Sequence, residues 1–178
     1  MKLDTKFVIE EFVLEEHRHM LINYFENNKH LCTDIRKVHA KRNLHYQDIR
    51  SETVKAVLKY YVTKTCYFID HYFKDKVAPW SEPRICRWTK GETMDLHVDR
   101  KGGAPTDNMK YSSLIYLNDD YEGGELKFVD GKVFKFKAGT NIIFRSDAYN
   151  SHQVLKVKKG KRYTIPSWYT TKLLFLTI

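Results

Sequence analysis

The sequence predicts an α+β protein in which helices come first and back one sheet of a two-sheet antiparallel jelly roll. Three observations carry that expectation. Apolar residues recur at helical spacing in two stretches of the first half. From Arg84 onward the chain breaks into short runs rich in β-branched and aromatic residues. Those runs are separated by turn chemistry at Gly102-Gly103, Asn118-Asp119-Asp120, Gly123-Gly124 and Asp130-Gly131.

The first helix is read from Val13, Leu14, His17, Met20, Leu21, Tyr24 and Phe25, which line one face, and from Asn27-Asn28, which suits a helix end. Residues 34–48 carry His39, Arg42 and His45 without periodicity and read as a loop or short helical turns. The helical pattern resumes over residues 51–73 with Val54, Val57, Leu58, Tyr61, Val62, Ile69, Tyr72 and Phe73, and Ser51 is placed to cap the N-terminus. Residues 94–99 read as a strand, a second strand-like run begins at His152, and Gly160 to Tyr169 reads as another. Between them, Asp130-Gly131 separates Leu126-Lys127-Phe128-Val129 from Lys132-Val133-Phe134-Lys135-Phe136, a hairpin signal in which Phe134 and Phe136 alternate with Lys135 and Lys137.

At 178 residues, with no internal repeat or low-complexity tract, the chain is expected to form one domain over 1–178. Its helical part covers about 1–80 and its β-rich core about 84–178. The opening residues lack the apolar core of a secretory signal, and no apolar run approaches the length of a bilayer span, so the expected compartment is the cytoplasm, with no membrane partner. Cys32, Cys66 and Cys86 are odd in number and widely separated, which points to reduced thiols rather than a disulfide framework or a zinc knuckle. A net charge of +9 raises the question of a nucleic-acid partner. The lysines of 132–137 and 156–162 alternate with apolar residues as outward faces of strands do, and a solvated basic surface is the expectation.

The residues that carry chemistry are His97 and Asp99, in Met94-Asp95-Leu96-His97-Val98-Asp99, and His152, in Ser151-His152-Gln153-Val154. Two polar residues two apart on a strand ordinarily mark only a solvated face. Together with a later histidine they supply two imidazoles and one carboxylate, with His97 and Asp99 projecting from one side of the strand. Three protein ligands on one face of an octahedral ion leave three positions open, the arrangement expected of oxygen-activating non-haem Fe(II). Arg162 follows His152 by ten residues in another strand-like run. A strand neighbouring that of His152 would bring its guanidinium close to the metal, where its planar fork suits a carboxylate. His17, His19 and His71 read as surface or packing residues, and His39 and His45 as loop residues near a site mouth. Trp80 and Trp168 read as core aromatics, Trp168 being near enough to Arg162 to line a pocket, and Gly123-Gly124 as a turn.

These motifs also occur in a familiar order. Arg87-Trp88-Thr89-Lys90-Gly91, His97-Val98-Asp99, Ser112-Ser113-Leu114-Ile115-Tyr116-Leu117-Asn118, Tyr121-Glu122-Gly123-Gly124-Glu125-Leu126, His152-Gln153-Val154 and Gly160-Lys161-Arg162-Tyr163 with Trp168 follow one another over about 84–169. In them the chain resembles the 2-oxoglutarate- and Fe(II)-dependent oxygenases of the prolyl 4-hydroxylase type, and its opening Phe7 to Leu14 also looks like the start of such a domain. The resemblance implies a double-stranded β-helix, the cupin-like jelly roll. It implies that His97, Asp99 and His152 hold Fe(II), that Arg162 pairs with the distal carboxylate of 2-oxoglutarate, that Tyr116 helps bind that carboxylate, and that Ser112 lines the cosubstrate pocket. Trp88 departs from the pattern, standing where the family commonly has a cosubstrate-contacting tyrosine. Indole offers an N–H donor and no acceptor. Arg162 stands where collagen-type enzymes carry lysine, which keeps the charge and changes its reach.

The activity the resemblance implies is hydroxylation of a prolyl residue in a peptide or protein. O2 and 2-oxoglutarate are consumed, succinate and CO2 released, and ascorbate helps keep the iron reduced. Two alternatives keep part of this reading: the same chemistry on a lysyl side chain, a free amino acid or a modified base, or a cupin-like metal-binding module that oxidises nothing. The presence of Arg162 favours the oxygenase, since a binding module has no need of a cosubstrate anchor.

Overall fold

The computed structural model describes residues 5–33, 42–100 and 108–171. Two antiparallel sheets face one another, and two helices cover the outer face of the larger. The larger sheet contains β1 (Lys6–Ile9), β2 (Arg42–His45), β3 (Val77–Pro79), β4 (Arg84–Thr89), β6 (Tyr111–Tyr116), β10 (Asn141–Arg145) and β13 (Lys161–Thr171). Its order is β1-β10-β6-β13-β4-β2, with β3 also paired to β13. The smaller sheet runs β5-β11-β8-β9, from β5 (Met94–His97), β11 (His152–Val154), β8 (Leu126–Phe128) and β9 (Val133–Phe134). A short ribbon pairs β7 (Glu122–Gly123) with β12 (Val157–Lys159).

Helix α1 (Glu15–Asn27) begins with Glu15 and Glu16, whose charge suits the N-terminal end of the helix dipole, and buries Leu21 and Phe25. Helix α2 (Glu52–Phe73) starts where Ser51 Oγ accepts from the Val54 N–H and ends at Lys74, in the left-handed region at φ 57°. Its buried face is Val54, Leu58, Tyr61, Val62, Thr65 and Ile69. Both helices pack on a core that includes Ile85, Ile115, Leu117, Tyr163 and Ile165 of the large sheet and its ends. Glu26 of α1 pins that docking. Its carboxylate meets Arg87 at 3.1 Å, Lys161 at 2.9 Å and the Tyr163 hydroxyl at 2.5 Å.

Side-chain alternation gives the large sheet two apolar faces. On β4, Ile85 turns to the helices while Cys86 and Trp88 turn inward. The inter-sheet core gathers Cys86, Trp88, Tyr116, Leu126, Phe128, Phe144, Val154 and Val157. The jelly roll and its helical backing are therefore as the sequence predicts.

Three details differ. Within 34–48, read as a loop or short helical turns, Tyr46–Asp48 does form a 3-10 turn, but Arg42–His45 forms edge strand β2 against β4. Hydrogen bonds to a distant strand decide this, with no local periodicity to announce it. Residues 34–41, including His39, and the Gly102-Gly103 turn lie outside the described residues. The strand over 94–99 stops at His97, leaving Asp99 in the bend beyond it. The Asp130-Gly131 hairpin forms in the register Leu126↔Phe134, with Gly131 at φ 86°. Its second strand ends at Phe134, yet Phe136 stays buried, stacked on Phe134 at 5.5 Å. Among the described residues, no helix is long and apolar enough to cross a membrane.

Candidate active site

His97 and His152 stand directly opposite one another where β5 pairs with β11, which sets their ring centroids 4.3 Å apart. Each is turned by its own backbone neighbourhood: His97 Nδ1 lies 2.8 Å from the Asp95 carbonyl and His152 Nδ1 lies 3.1 Å from that of Asn150. A carbonyl only accepts, so Nδ1 carries the proton in both rings and the lone pair falls on Nε2. The bend after β5 brings Asp99 between them, its two oxygens 3.6 Å from His97 Nε2 and 3.9 Å from His152 Nε2. The donor atoms of all three residues lie within 4.8 Å of one another, a spacing that could hold one metal ion.

The surroundings keep this cluster ready to ligate. Burial raises the Asp99 carboxyl, but hydrogen bonding to His97, the charge of His152 and the Ser112 hydroxyl outweigh it and hold the group at about 2. Ser112 Oγ donates to Asp99 at 2.6 Å and lies 2.7 Å from Ser146 Oγ. Burial lowers His152, against the opposing pull of Asp99, which favours neutral imidazole near neutral pH. Phe128 and Phe144 press on its ring at 5.9 and 4.9 Å.

Arg162 enters the same cavity from β13, on the opposite sheet rather than on a strand beside that of His152. It is fully buried, with its guanidinium carbon 4.9 Å from the Tyr116 ring and 5.6 Å from that of Trp88. Nη2 donates to the Tyr116 hydroxyl at 3.2 Å. Nε and Nη1 have no hydrogen-bond partner, and neither does the buried Nε1 of Trp88. Two guanidinium donors and an indole donor thus gather at one end of the cavity with nothing to receive them. Leaving a buried donor unpaired costs about 1–3 kcal/mol, and more where the group is charged. The complement of such a set is an acceptor-only, negatively charged group, which is what a carboxylate is.

Every predicted site residue is accounted for. His97, Asp99, His152, Arg162, Trp88 and Ser112 all line the cavity, and Tyr116 stands behind Arg162, bonded to it. Ser112 does more than line the pocket, because it holds a carboxylate of the metal-ligand cluster. Trp80 lines the cavity rather than the core, and Trp168 lines it as its nearness to Arg162 suggested. His17 packs 2.7 Å from the Tyr61 hydroxyl, while His19 and His71 are exposed. His45 lies 3.1 Å from the Thr33 hydroxyl and is absent from the cavity wall.

Two contributors go beyond the sequence reading. Tyr121 sits beside Arg162, its phenol pushed up to about 12 by burial against the opposing guanidinium charge. Gly123-Gly124 is not the turn expected: Gly123 ends β7 and Gly124 follows it, both at positive φ, 73° and 67°. A Cβ on Gly123 would lie 2.2 Å from the Lys156 carbonyl oxygen, and one on Gly124 would lie 3.0 Å from Arg162 Cδ, so the chain passes over the arginine only without side chains. The paired glycines were the available signal, but what they approach is set by the fold.

Comparison with known proteins agrees with this geometry. Residues 83–170 match the family model described as the 2OG-Fe(II) oxygenase superfamily. Human prolyl 3-hydroxylase 2 is 44% identical over 71 residues, which is 36% of this chain and 10% of that protein. The chain therefore spans about a tenth of the length of the first curated relatives it matches. A viral collagen prolyl hydroxylase from Paramecium bursaria Chlorella virus-1, solved as a 2OG complex, superposes with a TM-score of 0.75 at 19% identity, covering 96% of this chain and 97% of that one. A prolyl hydroxylase from Trichoplax adhaerens, solved with a hypoxia inducible factor peptide fragment, gives 0.76 at 17% identity, covering 95% and 84%. With the motif order, the cluster of His97, Asp99 and His152, and the shared fold in agreement, residues 83–170 carry the match to the 2OG-Fe(II) oxygenase superfamily and the chain has the fold of prolyl hydroxylases.

Proposed function

We propose that this chain is an Fe(II)- and 2-oxoglutarate-dependent dioxygenase that hydroxylates prolyl residues of a peptide or protein. The observation that carries the reading is Arg162: a fully buried cation with two unpartnered donors, in the same cavity as a two-histidine, one-carboxylate cluster. His97, Asp99 and His152 would hold the iron, the rings through Nε2 and Asp99 kept ionised by its neighbours. Arg162 and Tyr116 would take the distal carboxylate of 2-oxoglutarate, and the Trp88 N–H would donate to the same cosubstrate. When bound, iron and 2-oxoglutarate supply the oxidation, with O2 consumed and succinate and CO2 released. The protein's own part is to orient and to exclude water. Phe128, Phe144, Leu126 and Val154 form apolar walls around the cluster that limit solvent access.

The choice of a prolyl target is supported by relatives such as human prolyl 3-hydroxylase 2 and the viral collagen prolyl hydroxylase, and a peptide target by the Trichoplax complex. Ascorbate is proposed as the reductant that keeps the iron ferrous in assay. The test is incubation with Fe(II), ascorbate, O2 and 2-oxoglutarate, with succinate measured alone and then with a library of proline-containing peptides. Succinate release coupled to a gain of one oxygen on proline is the expected result. Oxygen gained on another residue would overturn the prolyl assignment, and absence of iron-dependent succinate release would overturn the oxygenase.

A further inference from the structure

The cavity continues past the metal-ligand cluster to an outer end walled by Trp80, Arg84, Pro166 and Trp168, with Asn43 beside them. We propose that this outer end is a second carboxylate-recognising subsite, centred on Arg84, so that the preferred substrate carries a carboxylate near the residue to be oxidised. The proposal rests on the oxygenase reading above and names the class of substrate it acts on.

Arg84 opens β4, and strand alternation puts it on the same inward face as Cys86 and Trp88. Its guanidinium lies 4.6 Å from the Trp168 ring. Stacking orients the planar group, which is how arginine is held to take a carboxylate. Its Nε is buried without a hydrogen-bond partner. Among the described residues no carboxylate pairs with it: of the two acidic residues lining the cavity, Asp99 is engaged by Ser112 and the histidines, and Asp95 forms no ion pair with Arg84. The titratable groups that feel its charge are Cys86, which also hydrogen-bonds with the Arg84 side chain, and His45, and burial keeps the Cys86 thiol protonated. Asn43, 1% exposed and in register with Cys86, adds a side-chain oxygen with no partner. The outer end therefore presents a cationic donor and a neutral acceptor, which match a carboxylate and a neighbouring N–H.

This subsite is distinct from the one at Arg162. That arginine is in register with Trp88, and Arg84 lies four residues along β4 from Trp88, about 13 Å at the rise of a strand. One small dicarboxylate held by Arg162 near the metal leaves Arg84 unsatisfied. The net charge of +9 adds long-range attraction for an acidic substrate.

The carboxylate could belong to an aspartyl or glutamyl side chain, to a peptide C-terminus or to a free amino acid, and the test separates these sources. Protein loaded with Mn(II) and 2-oxoglutarate without oxygen is titrated with four versions of a proline peptide, flanked by Asp or by Asn, each with a free or an amidated C-terminus, and with free proline. Tryptophan fluorescence reports binding, with Trp80 and Trp168 in the cavity wall. At least one carboxylate-bearing probe should bind about tenfold tighter than its neutral isostere, a preference within reach of one charge pair. Arg84→Gln should reduce that preference to about twofold or less, and Arg84→Lys should retain part of it. Equal affinities across the set, no binding by any probe, or a preference surviving in Arg84→Gln would overturn the proposal. Should either variant fail to fold, the isostere comparison on the unaltered protein still decides. Succinate release is measured separately, so a failed oxygenase reading and a failed carboxylate subsite give different results.

Discussion

Replacing Arg162 by methionine removes the charge and all donors while keeping much of the side-chain volume, so the two roles open to a buried arginine predict opposite outcomes. If Arg162 is an anchor for 2-oxoglutarate, the ligand-free protein carries a desolvated cation with Nε and Nη1 unpaired and Nη2 bonded to Tyr116. Relieving that burden should leave the ligand-free protein as stable as before or more so, because an apolar replacement of a buried charge is often neutral or favourable. Binding should suffer instead. Loss of a desolvated charge pair costs about 2–5 kcal/mol, a factor of roughly 30 to several thousand in the dissociation constant. Calorimetric titration of 2-oxoglutarate into Mn(II)-loaded protein without oxygen measures the second quantity, and thermal melting with and without ligand measures the first. At a ligand concentration 100 times its dissociation constant the unaltered protein should gain about 2.7 kcal/mol, and Arg162→Met should gain almost nothing at the same concentration. A variant that melts far below the unaltered protein yet binds 2-oxoglutarate normally would show that Arg162 holds the sheet together, and the cosubstrate assignment would fall.

Further outcomes follow from other contacts. His97→Ala, Asp99→Ala and His152→Ala should each abolish iron-dependent turnover with the fold retained; near-normal 2-oxoglutarate consumption by any of them, with iron bound, removes that residue from the ligand set. Trp88→Tyr should preserve or strengthen cosubstrate binding, at a stability cost on the order of 1–3 kcal/mol for the smaller ring; markedly weaker binding by a folded variant would show that the indole N–H has its own ligand contact. Glu26 gives the acid limb of stability. Burial raises its carboxyl, but the Tyr163 hydroxyl, Lys161, Arg87 and Lys29 bring it from 4.5 to about 2. A depressed carboxylate stabilises fully above pH 4.5 and loses that contribution as pH falls toward 2. Discounted for solvent screening, the contribution is about 1–2 kcal/mol, so Glu26→Gln should lower stability by that amount at pH 7 and by much less at pH 3, as denaturant titration at the two pH values would read.

What the sequence made legible was local chemistry. His97, Asp99 and His152 stand out because few other uses explain that set, and Ser51 or Asp130-Gly131 announce a helix start and a turn by residue type alone. What stayed hidden was anything decided by a partner far along the chain. Arg42–His45 has neither alternation nor β-branched residues and becomes a strand because β4 offers it a ladder. The strand of Arg162 could be predicted, but not that it belongs to the sheet facing His152. Trp80 reads as core because a buried aromatic and a cavity-lining aromatic are the same residue in sequence; only the gap between the sheets separates them, whereas Trp168 could be placed at the pocket by its nearness to Arg162.

That gap also explains how the two halves of the chemistry are divided. The small sheet supplies both histidines as a cross-strand pair, whereas the large sheet supplies Arg162, Trp88 and Arg84 from β13 and β4. Metal affinity and carboxylate affinity therefore rest on different backbones, which is why Arg162→Met is expected to weaken one and spare the other. Ser112 links the halves: it sits on β6 of the large sheet, donates across the cavity to Asp99, and lies in register with Trp168 on β13, the ring on which Arg84 stacks. A substrate carboxylate drawn to Arg84 is thereby held on the same rigid ladder that fixes Asp99. The distance from target residue to metal is then set by hydrogen-bonded strands, the arrangement that reproducible positioning for oxidation of a single C–H bond requires.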